Sequence, residues 1–357
     1  MTNDEFAGDA SLLAASCPLP ITNYKEIVLA HGSGGKLSHQ LMEKLVLPQF
    51  RNELLAPLHD GAIFSISGQR VAFSTDSYVV NPIFFPGGDI GKLAVHGTVN
   101  DLAMCGARPL YLSVGFILEE GTPMEDFWRV VQSMREAATA ARVVLVTGDT
   151  KVVDRGKADK IFINTSGIGV IPDGVNIAPA RAQVGDKIIM SGAMAVHGIA
   201  IMSVREGLEF ESEIASDTAP LNGLVETILA ASKDIHVLRD PTRGGITSAL
   251  TEIAQAAKVG MLLNEDAIPI SEDVKGACEI LGLDPLYVAN EGKLLAIIAA
   301  QDVDLVLSAM KSHPLGKQAA IIGEVTSDHP GFVMMKTRVG GKRVVDMLSG
   351  EQLPRIC

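Results

Sequence analysis

The sequence predicts an α+β protein of two mixed α/β domains followed by a flexible C-terminal tail, and three observations carry that expectation. At 357 residues the chain exceeds the usual size of one domain. From Ile27 to about Ile171, strand-like apolar runs alternate with segments of helical spacing, and the second half repeats the mixture. Between the halves stands Pro172-Asp173-Gly174, a strong turn signal. The expected divisions are an arm at 1–26, domains at 27–172 and 173–346, and a tail at 347–357.

Each element has its own local reason. Residues 1–26 show no sustained period and include Pro18 and Pro20, so they read as a loose arm. Residues 62–67 and 70–75 form a hairpin across Gly68-Gln69, a short polar turn between apolar runs. A helix at 90–105 follows Gly87-Gly88. Another begins at Thr122-Pro123-Met124-Glu125, read as a capping box with Pro in its first turn. Its apolar stripe is Met124, Phe127, Trp128, Val131, Met134 and Ala138, and it leads into a strand at Val143–Val146. In the second half we expect a strand at Lys187–Ser191, helices from about His197 and after Arg243-Gly244-Gly245, and a strand at Leu294–Ala299. The closing GEQLPRIC is polar, contains Gly and Pro, and is expected to form no packed element.

Composition narrows the function. Thirty basic against forty-two acidic residues give a formal charge of −12, and no basic stripe with interleaved aromatics is present. That balance argues against nucleic acid as a partner. No apolar run approaches the ~18–20 residues that span a bilayer, and the start lacks the basic and apolar stretches of a secretory signal, so no membrane and a cytoplasmic location are expected. Of the four cysteines, Cys17, Cys105, Cys278 and Cys357, none forms a C-x-x-C pair, and Cys105 and Cys278 read as small core residues. Cys357 is the last residue of the sequence, whereas a prenylation box needs its Cys fourth from the end.

Two constellations point to phosphate chemistry. In the first, Ser67 opposes Arg70 across the expected hairpin, so Gly61 opposes Asp76, and Asp60 and Asp76 leave the hairpin at one end. Asp149 follows the strand at 143–146, and Asn100 and Asp101 lie on the 90–105 helix. Converging carboxylates raise one another's proton affinity unless a cation neutralises them, and magnesium carrying nucleotide phosphates meets that need. Taken singly, any of these aspartates also suits a turn or cap. The second constellation is a pair of glycine-rich turns, His31-Gly32-Ser33-Gly34-Gly35-Lys36 and Pro86-Gly87-Gly88-Asp89-Ile90-Gly91-Lys92. Their backbone N–H groups suit a phosphate, although neither has P-loop spacing and tight turns alone also call for glycine.

The runs HGSGGK, FSTDSYVVNPIFFPGGDIGKLAVHGTVNDLAMCGA, GFILEEG, VTGDTKVV, FINTSGIG, RDPTRGG, ANEGK, HPLGK and the closing PRIC resemble the HypE family of hydrogenase maturation proteins from about Leu29 to Cys357. The STDS, NDLAMCGA and GDT pieces also resemble the wider superfamily of aminoimidazole ribonucleotide synthetase, thiamine monophosphate kinase and selenophosphate synthetase. The resemblance implies the aminoimidazole ribonucleotide synthetase fold and a homodimer sharing a barrel-like sheet. It implies a carbamoyl group loaded on the terminal thiol by the carbamoyltransferase HypF, and ATP-dependent dehydration of that S-carboxamide to a thiocyanate. The cyano group would then pass to iron on a HypC–HypD complex, for a nickel–iron hydrogenase. Carried over residue by residue, Cys357 is the acceptor, and Lys151 and Glu291 flank the carboxamide. Asp60, Asp76, Asn100, Asp101 and Asp149 hold ATP and Mg2+, with Gly34, Gly35, Gly91, Lys92, Thr147 and Gly148 beside the nucleotide; the metal ligands are Asp60, Asp76, Asp101 and Asp149. The chemistry is consistent with that assignment. An amide oxygen departs readily once phosphorylated, a base must take the N–H protons, and a lysine steadies the developing charge. Two other readings stay open: selenophosphate synthesis, whose usual reactive Cys or selenocysteine is missing from HGSGGK, and a scaffold using -RIC as a docking peptide.

Overall fold

Two β-sheets, one from each half of the chain, organise the computed structural model, which describes residues 24–208, 214–350, 353 and 355–357. The first half runs α1 (Lys36–Leu41), α2 (Leu47–Phe50), β1 (Ala62–Ile66), β2 (Gln69–Tyr78), β3 (Phe84–Phe85), β4 (Gly88–Asp89), α3 (Ile90–Met104), β5 (Arg108–Glu119), α4 (Met124–Ala141), β6 (Val144–Val153) and β7 (Ile161–Val170). The second runs β8 (Lys187–Met190), α5 (Val196–Glu206), α6 (Asn222–Ala231), β9 (Ile235–Arg239), α7 (Gly245–Ala257), β10 (Gly260–Asn264), α8 (Glu272–Leu281), β11 (Leu295–Ile298), α9 (Val303–Ser312), β12 (Ala320–Thr326), β13 (Val333–Lys336) and β14 (Lys342–Val345). The first sheet has the order β1-β2-β7-β5-β6, and the second β14-β13-β10-β12-β8-β11-β9.

Helix α3 ties the halves together. It is apolar on nearly every side, and such a helix is stable only when surrounded. Leu93, Ala94, Val99 and Leu102 are fully buried, and its core clusters join residues of both halves, including Ala72, Ile163, Ile199, Leu224 and Leu238. Cys105 and Cys278 are buried as expected.

Four local expectations are corrected. In the hairpin, Ser65 faces Arg70 and Ile66 faces Gln69. The turn is therefore Ser67-Gly68, both at positive φ (50° and 84°), the form that matches strand twist. The register slips by two residues, and Asp76 does not oppose Gly61; Ser74 instead donates to the Asp60 carbonyl at 2.8 Å. The capping box at Thr122 is not formed, because Pro123 is the cap residue and Thr122 Oγ1 donates to the Lys160 carbonyl. Helix α4 buries Val130, Met134, Ala137, Ala138 and Ala141, while Met124 and Trp128 are exposed, so its inward face is rotated from the expected stripe. The strand at 143–146 in fact continues to Val153, through the TGDTK run.

Candidate functional site

Strand β2 supplies the first part of the site. Alternation along a strand places Ser74, Asp76 and Tyr78 on the face covered by α3. Tyr78 donates from its hydroxyl to Asp76 Oδ2 at 3.0 Å, and it reaches that position because residue 97 is glycine. A Cβ there would lie 1.9 Å from the Tyr78 oxygen. One turn further along α3, Asp101 Oδ2 accepts from Ser74 Oγ at 2.7 Å. The end of β9 brings Arg239 and Asp240 to the same place. Carboxylate oxygens of Asp60, Asp101 and Asp240 lie within 4.8 Å of one another.

This cluster is short of positive charge. Arg239 pairs with Asp60 Oδ1 at 2.9 Å, yet its other side is spent on Glu252. The second oxygen of Asp60 is buried without a hydrogen-bond partner among the described residues; His59 Nδ1 stands 3.5 Å away and itself accepts the Asp60 N–H. Burial, then Asp240, Asp76 and Asp60, pushes the Asp101 carboxyl well above its ordinary range. Burial and Asp60 raise that of Asp240 to about 7. A set of hard oxygens with an orphaned, desolvated lone pair fits a divalent cation such as magnesium.

The end of the chain supplies the second part. Among its described residues the tail forms no helix or strand, as GEQLPRIC suggests, but its end is packed: Leu353, Ile356 and Cys357 are buried. The Cys357 carbonyl accepts from Val79 N–H, next to β2, at 3.1 Å. His197 on α5 bridges the Ile356 carbonyl and Ser216 Oγ, both at 2.7 Å. Arg243 donates from Nη1 to the Cys357 sulfur at 3.0 Å.

Glu291 joins the same group. Its loop is held by Asn290, whose side chain bonds the Ala195 N–H and the Pro241 carbonyl, and by its own N–H donated to Asp217. The Glu291 carboxyl is buried, with Oε1 unpartnered among the described residues. Burial first, then Asp240, Asp76 and Asp217, drives its proton affinity well up, against the pull of Arg243. Burial likewise pushes the Cys357 thiol up to about 12; Arg243 opposes this, and Glu291 and Asp76 add to it. Thiol, guanidinium, Glu291 and Asp76 thus form one electrostatic unit beside the aspartate cluster.

Other expected residues stand elsewhere. Asp149 faces Gly115 across the β5–β6 ladder, followed by Asn164 and Ser77. Paired residues share a face, so Thr147, Asp149 and Lys151 lie on the side of the sheet opposite Asp76. There Lys151 and Asp149 form an exposed ion pair at 2.8 Å that lowers the Asp149 carboxyl. Within one chain Asp149 does not join Asp60, Asp76 and Asp101, and Lys151 does not flank Glu291. Gly148 serves a close approach of strands, since a Cβ there would lie 2.5 Å from the Val114 carbonyl. Asn100 is turned to backbone, bonding Ala219 and Leu221. The N–H groups of Gly91 and Lys92 are capped by Asp89, not left for a phosphate. In the other turn, Gly34 N–H goes to Ser38 Oγ and Lys36 N–H to the Leu348 carbonyl.

Sequence reasoning missed Arg243, Asp240 and His197. The first two lie in RDPTRGG, a run that carried the resemblance but received no role; a charge beside two glycines was the available signal. His197 gave none.

Residues 58–171 match the AIR synthase related protein N-terminal domain and residues 183–336 its C-terminal domain. The carbamoyl dehydratase HypE of Azotobacter vinelandii is 55% identical over 93% of this chain and 97% of that protein. The chain belongs to the HypE family. Solved HypE structures agree: one in complex with ATP is 51% identical, covers 93% of this chain and all of that one, and superposes with a TM-score of 0.79. Another, in a HypE–HypF complex, is 48% identical over 86% of this chain and 99% of its own, at 0.82. The expected fold is therefore that of the AIR synthase related proteins, and the chain is an enzyme of a hydrogenase maturation family whose close relatives are named carbamoyl dehydratases. Among the described residues no helix is long and apolar enough to cross a membrane.

Proposed function

We propose that this enzyme uses ATP to dehydrate a carboxamide carried on Cys357, giving a thiocyanate that supplies cyanide to a nickel–iron hydrogenase. The observation that carries the reading is the buried Cys357 sulfur, in the same electrostatic unit as an unpartnered Glu291 carboxyl and beside the aspartate cluster. A loaded sulfur would present its carboxamide to both.

In the step itself, the carboxamide oxygen takes the γ-phosphoryl group of ATP and leaves as phosphate while C≡N forms. Glu291 accepts one N–H proton, the departing phosphate carries off the second, and ADP is released. For that Glu291 must first be ionised, which burial first and its acidic neighbours second oppose in the free protein. Asp60, Asp101 and Asp240 would hold Mg2+, with Asp76 beside them, and neutralising these charges makes Glu291 a stronger acid and so available as carboxylate. Burial around the thiol keeps water from the activated carbon.

Loading needs the opposite arrangement, because a buried sulfur cannot meet a second enzyme. The tail therefore swings outward to a HypF-type carbamoyltransferase, as the HypE–HypF complex of the relative suggests. It later swings out again toward a HypC–HypD iron carrier. The two halves, 27–172 and 173–346, stay as the frame between which the tail docks.

A homodimer fits the open face of the first sheet. Phe73, Tyr111 and Val144 form a cross-strand row there, exposed by 44%, 48% and 56%. Pairing two such faces would cover that row and enclose Thr147, Asp149 and Lys151, which is how those residues would come to serve catalysis.

The test is intact-mass spectrometry after incubation with the carbamoyltransferase, carbamoyl phosphate and ATP. The chain should gain a carbamoyl group and then lose one water. Cys357→Ala should gain neither mass; any adduct on that variant would contradict the acceptor assignment.

A further inference from the structure

Two glycine-bearing runs, His31–Lys36 and Arg239–Gly245, meet in the fold. Gly34, at φ +73°, lies so close to Arg243 that a Cβ would sit 2.7 Å from its carbonyl oxygen and 2.8 Å from its Cβ. Gly244, at φ +78°, presses back: a Cβ there would sit 2.8 Å from the Gly34 carbonyl. Ser248 Oγ, one turn into α7, donates to that carbonyl at 2.9 Å. Two backbones thus lie in contact, and only glycine permits the approach.

The same loop fixes the root of the tail. Lys36 donates its N–H to the Leu348 carbonyl at 2.8 Å and pairs its side chain with Asp346 at 2.5 Å. Residue 35 must be small as well, since a Cβ would meet the Leu348 oxygen at 2.4 Å. The loop thereby sets both Arg243 and the strand of chain that ends in Cys357.

We propose that Arg243 is a catalytic residue: its guanidinium grips the sulfur of Cys357, and whatever group that sulfur carries, and holds it against Glu291. The His31–Lys36 loop is the positioning frame. For the dehydration this rests on the function proposed above; the grip on the sulfur does not. A guanidinium is always charged and offers several N–H groups in a fixed fork. Once the sulfur is acylated its carbonyl oxygen is the better acceptor, so the fork turns to the oxygen as it takes up charge and the phosphoryl group. The positive charge also favours ionised Glu291, the form that accepts a proton. Arg243 stays accessible to solvent, so a small cation can replace it.

Two measurements decide the matter. In the unloaded protein, amide exchange at Val79 and Asn81 reports the docked tail, because these N–H groups donate to Cys357 and Arg355 carbonyls. Arg243→Ala should speed that exchange at least about fivefold, within the range of one charge-assisted hydrogen bond. Unchanged exchange would overturn the grip, even if the wild type proved not to be a dehydratase. In the loaded protein, Arg243→Ala should accept the carbamoyl group normally and convert it roughly 10- to 100-fold more slowly. Non-denaturing guanidinium should restore conversion, and Arg243→Lys should stay slow. Gly34→Ala should be slowed without restoration, as expected of a displaced frame. Wild-type conversion by Arg243→Ala, or no response to guanidinium, would remove Arg243 from the reaction.

Discussion

The two faces of the first sheet carry two halves of one expected site. On the covered face, Asp76 and Tyr78 meet α3, the aspartate cluster and the docked tail. On the open face, Thr147, Asp149 and Lys151 stand beside an exposed apolar row. The covered face is assembled within one chain, and burial raises the proton affinity of Asp101, Asp240, Glu291 and Cys357 beside it. The open face is hydrated, and its charges satisfy each other. On the function proposed above, the second face would act only once covered, whereas the first would act on what the tail carries.

The widest difference in binding should separate Asp76→Asn from Asp149→Asn. By calorimetry with Mg-ATP, the first should weaken binding at least about tenfold, through loss of one charged contact. The second should do less, and only at concentrations where the protein is dimeric. Equal losses in a dilute monomer would place Asp149 in the covered site after all.

A charge on the open face tests the assembly. Tyr111→Glu lies in the exposed row, so the fold should survive while sedimentation at micromolar concentration shifts from dimer to monomer. Retained dimers would show that another surface pairs. If monomers convert a loaded Cys357 as fast as dimers, Lys151 has no catalytic part.

These contrasts show what was legible in the sequence. Helix α3, helix α7, strands β8 and β11 and the buried Cys105 and Cys278 followed from spacing and glycine position, whereas β9, β10, β12, β13 and β14 were not foreseen. The residue types of the site were legible too, because HypE-like motifs name Asp60, Asp101, Glu291 and Cys357. Which face each occupies was not. A one-residue change of strand phase reverses a side chain, and the bulge in the β5–β6 pairing between Leu112 and Ser113 sets that phase beyond the reach of local pattern. The tail misled for another reason. GEQLPRIC has no period, and it is held by contacts far away in sequence, with Val79, His197 and Arg243.

The smallest expected effect concerns pH. The Asp240 carboxyl binds its proton more tightly folded, up to about 7, than at its ordinary value of 3.8. Stability is then fullest below the ordinary value and is lost as pH rises toward 7. Without divalent ions, Asp240→Asn should melt like the wild type near pH 4 and a few degrees higher at pH 8. Magnesium should narrow that gap by stabilising the ionised cluster. A gap independent of pH would mean that Asp240 is not held protonated.

The central claim is that the group on Cys357 is turned over at Glu291, and trapping tests it most directly. Glu291→Gln preserves side-chain volume and removes the base. Loaded by the carbamoyltransferase and given ATP, it should accumulate S-carboxamide, localised to Cys357 by peptide mass spectrometry, with conversion slowed ~10²–10⁴-fold. Thiocyanate formed at the wild-type rate in Glu291→Gln would contradict the account.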